Sequence, residues 1–198
     1  MTARRLLATA SAVGAALALA APAGAAPAPR TYEVTVTNLT DDQPLTPVLA
    51  VSHRGAVDLV VPGATATSGQ ELLAEQGDPS VWIGEVEGAR HVSAATAGTG
   101  LILPGESATF TIEALPGDQL SLASMLACTN DQFVHAGDIV LHPTTATSTY
   151  AGIYDAGTEV NTGTDADIAC TGGTGSPVEG GTIMHVGDMG AHVEVHRI

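Results

Sequence analysis

Acidic residues that directly follow apolar segments are the part of this chain whose chemistry is easiest to specify. Asn130-Asp131 follows the apolar run that begins at Ser121, and Asp155-Ala156-Gly157-Thr158-Glu159 follows a second run. The small residues of the second segment let the backbone turn tightly, so its two carboxylates would point towards one volume. Calcium binds six to eight oxygen ligands and accepts irregular loop geometry. The segments therefore indicate a calcium site, although a short acidic turn with glycine is also typical of a plain solvated turn.

Alternating patterns predict the strands that would carry these acids. Residues 31–39 alternate apolar and polar side chains, and residues 108–114 repeat the pattern, which places Glu113 on a polar face. Residues 120–127 are apolar on both faces, as in a central strand that is covered on each side. The end of this strand would place Asp131 at one end of the sheet. A last strand is predicted over residues 192–198. Together these segments predict a mainly β domain.

Two short helices are predicted between the first strands. Ser68 and Glu71 have the spacing of a capping box, and Gly77 ends the first helix. A second helix begins after Asp78-Pro79 and contains Trp82. We interpret Trp82 as a core residue, with contact to a ligand as the alternative.

The beginning of the chain and its charge indicate export. Residues 1–26 contain two arginines, an Ala/Leu-rich run and small residues, the layout of a secretory signal, so that residues 27–198 would form a single secreted domain. Without Arg4 and Arg5, four arginines and no lysine face 21 acidic residues, a formal charge of −17. A nucleic-acid partner is not expected, because phosphate binding needs a basic surface. Nothing after the signal is long and apolar enough to predict a transmembrane segment.

The two cysteines, Cys128 and Cys170, are expected to form a disulfide in an exported protein. This bond would tie the Gly-rich segment 171–181 to the strand that leads into Asp131.

The order of several segments resembles the spondin domain, the amino-terminal module of F-spondin and mindin, which also occurs alone in secreted bacterial proteins. The resemblance covers residues 31 to about 160 and is carried by residues 32–40, 49–53, 71–78, 121–133 and 154–159. It implies a mainly β, antiparallel β-sandwich similar to calcium-dependent membrane-binding domains, with one calcium held by acids of neighbouring loops. Carried over to this sequence, the implied ligands are Asp131, Asp155 and, with a shift of one residue, Glu113. Glu159 is the candidate accessory acid.

The same resemblance implies a non-catalytic adhesion or binding module whose partner is an extracellular glycan, a lipopolysaccharide or a protein. The sequence departs from the animal domains in two places. Gln132 stands where they have an aromatic residue directly after the acid, and the segment from Gly172 onward matches poorly.

Two other functions stay open at this level. An exported hydrolase that acts on envelope or environmental polymers is the first, although the Gly-x-Ser-x-Gly motif of a nucleophile elbow is absent. A copper- or zinc-binding protein is the second, because His192 and His196 would share one face of the last strand and His185 could supply a third ligand.

Overall fold

The structure is a computed structural model that describes residues 27–55 and 57–198, and its main feature is one antiparallel sheet of eight strands. The predicted signal segment, residues 1–26, lies outside the described residues. The strands in chain order are β1 (Arg30–Asn38), β2 (Leu49–His53), β3 (Val92–Ala97), β4 (Ser107–Ala114), β5 (Gln119–Met125), β6 (Gln132–Val140), β7 (Thr147–Asp155) and β8 (Met184–Arg197). The order across the sheet is β3-β2-β5-β6-β7-β8-β1-β4. The edge strands β3 and β4 contact each other, so the sheet nearly closes on itself. The predicted mainly β, antiparallel fold is confirmed.

The curved sheet encloses an aliphatic core. On β1 the predicted alternation is confirmed, because Tyr32, Val34 and Val36 are buried against the inward side chains of the other strands. Strand β5 is buried on both faces from Leu120 to Met125, as predicted for a central strand. Burial of one aliphatic side chain contributes about 1.5 to 3 kcal/mol, so this core supplies most of the drive to fold.

Two helices, α1 (Ser68–Gln76) and α2 (Ser80–Val86), cover the outer face of β2, β5 and β6. Leu73 and Trp82 are buried there against a second apolar cluster that includes Phe133. The interpretation of Trp82 as a core residue is consistent with its 3% exposure.

The structure corrects the helix start by one residue. Thr67, not Ser68, is the N-cap, and its side chain accepts a hydrogen bond from the backbone N–H of Gln70. The Gln70 side chain in turn accepts from the Thr67 N–H at 2.7 Å, so the pair Thr67 and Gln70 forms the capping box. Gly77 ends the helix in the left-handed conformation, as predicted.

The last strand begins earlier than predicted. It starts at Met184 instead of residue 192, because residues 184–187 continue the pairing with β7 beyond an irregularity in the register. Gly190 lies at this irregularity, where a Cβ atom would come within 2.5 Å of the Val134 side chain. Position 190 of β8 therefore has room for a glycine and not for a larger residue, because the Val134 side chain of β6 fills the adjacent space.

The predicted disulfide is present. Cys128 and Cys170 are bonded across 42 residues, with their Cα atoms 5.2 Å apart. The bond joins the β5–β6 turn to the second of two short 3-10 turns, which cover Asp165–Asp167 and Ala169–Thr171.

Candidate functional site

The sheet register places Asp131 and Asp155 next to each other at one end of two adjacent strands. Asp131 directly precedes β6, and Asp155 is the last residue of β7. Gln132 is paired with Asp155 in the ladder, and the Ala156 N–H donates to the Asp131 carbonyl at 3.1 Å. The structure therefore brings together the two acids on which the sequence pattern centres.

Both carboxylates are buried and hold the following turn. Asp131 Oδ2 accepts hydrogen bonds from the backbone N–H groups of Thr158 at 2.7 Å and Glu159 at 3.0 Å. Asp155 Oδ1 accepts from the Gly157 N–H at 2.9 Å, and its Oδ2 accepts from the Asn161 side chain at 2.7 Å. Asp131 is fully buried and Asp155 is 3% exposed. These bonds fix the turn that the sequence pattern indicates.

One carboxylate oxygen of this pair has no hydrogen-bond partner among the described residues. Asp131 Oδ1 is buried and accepts no hydrogen bond from the residues that the structure describes. Asp118 Oδ1 also accepts no conventional hydrogen bond, but the Arg54 Nε lies 3.0 Å away and neutralises it. A buried carboxylate oxygen without a donor or a cation costs about 1 to 3 kcal/mol or more. Asp131 is thus the buried acid for which an added cation would bring the largest gain.

Two further acids face this pair, and we call Glu75, Asp131, Asp155 and Glu159 the acidic cluster. Glu75 lies in the last turn of α1 and its carboxylate contacts the Thr158 hydroxyl. Glu159 lies near the backbone N–H of Ser176 and near the Asn130 side chain. The acidic cluster therefore draws on α1, the β5–β6 turn and the segment after β7.

The environment of the acidic cluster disfavours negative charge. Burial raises the pKa of Asp131, and the neighbouring Asp155 raises it further, although the amides of Glu159 and Thr158 act in the opposite direction. Burial also raises the pKa of Glu75 and of Glu159, with a further contribution from the charge of Asp131 in each case. A bound divalent cation would reverse this effect, because it favours the ionised form of every carboxylate near it.

The structure does not bring Glu113 to the acidic cluster. Glu113 is an exposed residue of β4, and its carbonyl accepts from the Ser52 hydroxyl at 2.7 Å. Ser52, which contacts Glu113, is paired with Leu120 of β5. Asp131 is at the level of Leu126, six residues after Leu120 along the same segment. At about 3.3 Å per residue this separation is roughly 20 Å. The ligand assigned by resemblance therefore lies at the other end of the sheet, and Glu75 is the acid that sequence reasoning missed.

The chemistry of the acidic cluster fits a hard cation better than a transition metal. Its members offer carboxylate oxygens, which suit calcium, whereas zinc and copper sites are built with imidazole or thiolate ligands. Among residues 27–55 and 57–198, no three His, Cys, Asp or Glu side chains are already arranged to hold a metal. Asp131 and Asp155 are the buried members of the acidic cluster, and Glu75 and Glu159 belong to it from α1 and from the segment after β7.

The three histidines considered as transition-metal ligands are divided between two places. His192 and His196 lie on the same face of β8, where His192 packs against Tyr150 and His196 Nε2 lies 3.3 Å from a Glu33 carboxylate oxygen. His185 lies seven residues before His192, packs against Tyr154 and pairs with Asp188. A strand of seven residues spans about 20 Å, so His185 is not a third ligand beside the other two.

A serine and a histidine form a hydrogen-bonded pair inside the sheet. His53 Nδ1 donates to the Arg54 carbonyl at 2.9 Å, so its Nε2 accepts from the Ser121 hydroxyl at 2.8 Å. Ser121 Oγ also accepts from the Asp138 N–H, at an irregularity in the β5–β6 register. His53 is fully buried and Ser121 is 2% exposed. This pair stabilises the strands and offers no surface at which a substrate could meet a nucleophile.

No protein-family model matches this chain, and no curated protein matches it significantly. Within the part of the chain that the structure describes, none of the helices has the length and apolar character needed to cross a membrane.

Proposed function

We propose that this chain is a secreted, calcium-binding adhesion or binding module of the spondin type, without catalytic activity. The observation that carries the proposal is the buried Asp131 carboxylate, whose Oδ1 has no partner among the described residues and which lies beside the buried Asp155. The predicted signal segment and the implied disulfide chemistry of an exported protein support the extracellular setting, in which calcium is plentiful.

Calcium would act here by ordering a surface. Asp131 and Asp155 would hold the ion, and Glu75 would connect it to α1, so that the helix, the β5–β6 turn and the turn after β7 become one rigid rim. Asp131 already binds the backbone of Thr158 and Glu159, which couples the ion to the position of that turn. A glycan, lipopolysaccharide or protein partner would then contact the ordered rim.

A calcium titration of chelator-treated protein tests this function. Calorimetry should show one site with a dissociation constant of about 10⁻⁴ to 10⁻³ M, the range of extracellular calcium modules. Magnesium should bind more weakly, because it demands a compact octahedral site and dehydrates reluctantly. The absence of heat and of thermal stabilisation at millimolar calcium would reject the proposal.

A further inference from the structure

A cavity lies on the helical side of the molecule, and its lining includes none of the four residues of the acidic cluster. It has a volume of about 300 Å³, at the lower end of the range for small-molecule sites. Its apolar walls come from the loop after β2, from α2 and from the residue before β8, namely Val57, Leu59, Val61, Trp82, Val86 and Ile183. Trp82 is the only tryptophan of the chain. An apolar cavity of this kind takes an apolar ligand.

The cavity is braced by its own hydrogen bonds. Gln70 donates from Nε2 to the Leu59 carbonyl at 2.8 Å, which fixes the loop after β2 against α1. Glu85 accepts from the Gly69 N–H at 2.8 Å and from the Thr67 hydroxyl at 2.6 Å, which fixes its carboxylate at the wall. The walls therefore have a defined position before any ligand binds, which lowers the entropic cost of binding.

The charged side chains that line the cavity are all acidic. Asp58 and Glu85 are both exposed residues that line it, and the lining residues include neither arginine nor lysine. Neither carboxylate belongs to any of the salt bridges among the described residues. A cationic group at the mouth would be attracted by both carboxylates, and the indole ring in the wall adds a favourable surface for it.

We propose that this cavity binds a small apolar molecule that carries one protonated amine. The hydrocarbon part would fill the space beside Trp82 and Ile183, and the amine would lie between Asp58 and Glu85. This site is separate from the proposed calcium function and does not depend on it.

The fluorescence of Trp82 reports binding directly, because no other tryptophan contributes. Hexylammonium, hexanol and hexanoate, which share a hydrocarbon chain and differ in charge, are titrated into the protein, and ligand-observed NMR is recorded in parallel. We expect saturable binding of hexylammonium, weaker binding of hexanol and none of hexanoate. The proposal would be overturned if hexanol or hexanoate bound as tightly as hexylammonium. It would also be overturned if neither fluorescence nor NMR showed saturable binding of hexylammonium.

Charge variants test the role of the two carboxylates. Asp58→Asn should weaken hexylammonium binding by about fivefold and leave hexanol binding unchanged, and Glu85→Gln should weaken hexylammonium binding by at least as much. Asp42→Asn removes an exposed carboxylate from the loop after β1, outside the cavity lining, and serves as the matched control. An equal loss of affinity in Asp42→Asn would show that only the net charge of the protein matters and would overturn the assigned site.

Discussion

Replacing Asp131 with asparagine separates the charge of this residue from its structural hydrogen bonds. The amide oxygen introduced by Asp131→Asn can still accept from the N–H groups of Thr158 and Glu159, which bond to Oδ2 in the wild type. The variant loses the negative charge, next to a carboxylate that repels it, and the amide NH2 group takes the place of Oδ1, which accepts no hydrogen bond from the described residues. We therefore expect the calcium-free variant to be as stable as the calcium-free wild type, within about 1 kcal/mol.

The calcium response of the variant should differ sharply from that of the wild type. With a dissociation constant of about 10⁻⁴ M, a calcium concentration of about 10 mM stabilises the wild type by about 2.7 kcal/mol. For a domain of this size that raises Tm by about 5 to 10 °C. Asp131→Asn should show no such shift in thermal unfolding followed by circular dichroism with EDTA or calcium.

Glu113→Gln is the matched control for this experiment. It also removes one carboxylate, but from the exposed face of β4 at the opposite end of the sheet. It should keep the full calcium shift. A normal shift in Asp131→Asn, or its loss in Glu113→Gln, would refute the position that we assign to the ion.

Four further results are expected. Calcium binding should weaken as the pH falls from 7 towards 5 and should release more protons at the lower pH, because burial raises the pKa values of Asp131, Glu75 and Glu159 and protonation then competes with the ion. A calcium affinity and a buffer dependence of the enthalpy that stay the same at both pH values would contradict this. Burial lowers the pKa of His135 to about 4, from a value near 6.5 in the unfolded chain. Between these two pH values the unfolded chain binds a proton that the folded protein does not, so the free energy of unfolding falls as the pH drops. Between pH 7 and 5 the loss is up to about 2 kcal/mol, and denaturant unfolding should show this loss in the wild type and not in His135→Gln. Gly157→Ala should lower the free energy of unfolding by about 2 kcal/mol or more, because φ is +69° and a Cβ would lie 2.6 Å from the Thr182 nitrogen. Gly163→Ala is the matched control, because φ is +66° but a Cβ there meets only open space. The control should lose less stability in chemical denaturation. Replacing both Cys128 and Cys170 with serine should lower the free energy of unfolding by about 4 kcal/mol, the value of the chain-entropy model for a loop of this length, and an unchanged Tm would refute that contribution.

The strands and the acidic pair follow from local sequence pattern. The period-two alternation of β1 and the apolar run of β5 specify which of their residues are buried. Asp131 and Asp155 meet because Asp131 precedes β6, Asp155 ends β7, and these two antiparallel strands pair directly. Adjacent antiparallel strands thus convert an order in the sequence into a contact in space.

The third acid could not be located in the same way. Alternation indicates on which face of a strand a residue lies, and Glu113 is indeed on the exposed face, but it does not indicate which end of the sheet that residue occupies. Glu75 was missed because its proximity to Asp131 depends on how α1 docks on the sheet, and docking depends on distant side chains such as Phe133. The only local signal is its position in the last helical turn before Gly77.

The errors in element boundaries have similar causes. Thr67 with Gln70 and Ser68 with Glu71 both satisfy the capping-box spacing, and the backbone phase of α1 alone decides between them. The early start of β8 is hidden because an irregularity in the register at Gly190 breaks the alternation, and the need for glycine there arises from the approach of Val134.

A crystal structure of the protein grown in millimolar calcium would show directly whether Asp131 and Asp155 bind one calcium ion. We expect one ion with Asp131 Oδ1 and an Asp155 oxygen at about 2.3 to 2.6 Å, and with a Glu75 or Glu159 oxygen completing the site. An ion bound beside Glu113, or an Asp131 carboxylate that stays without a cation under these conditions, would contradict it.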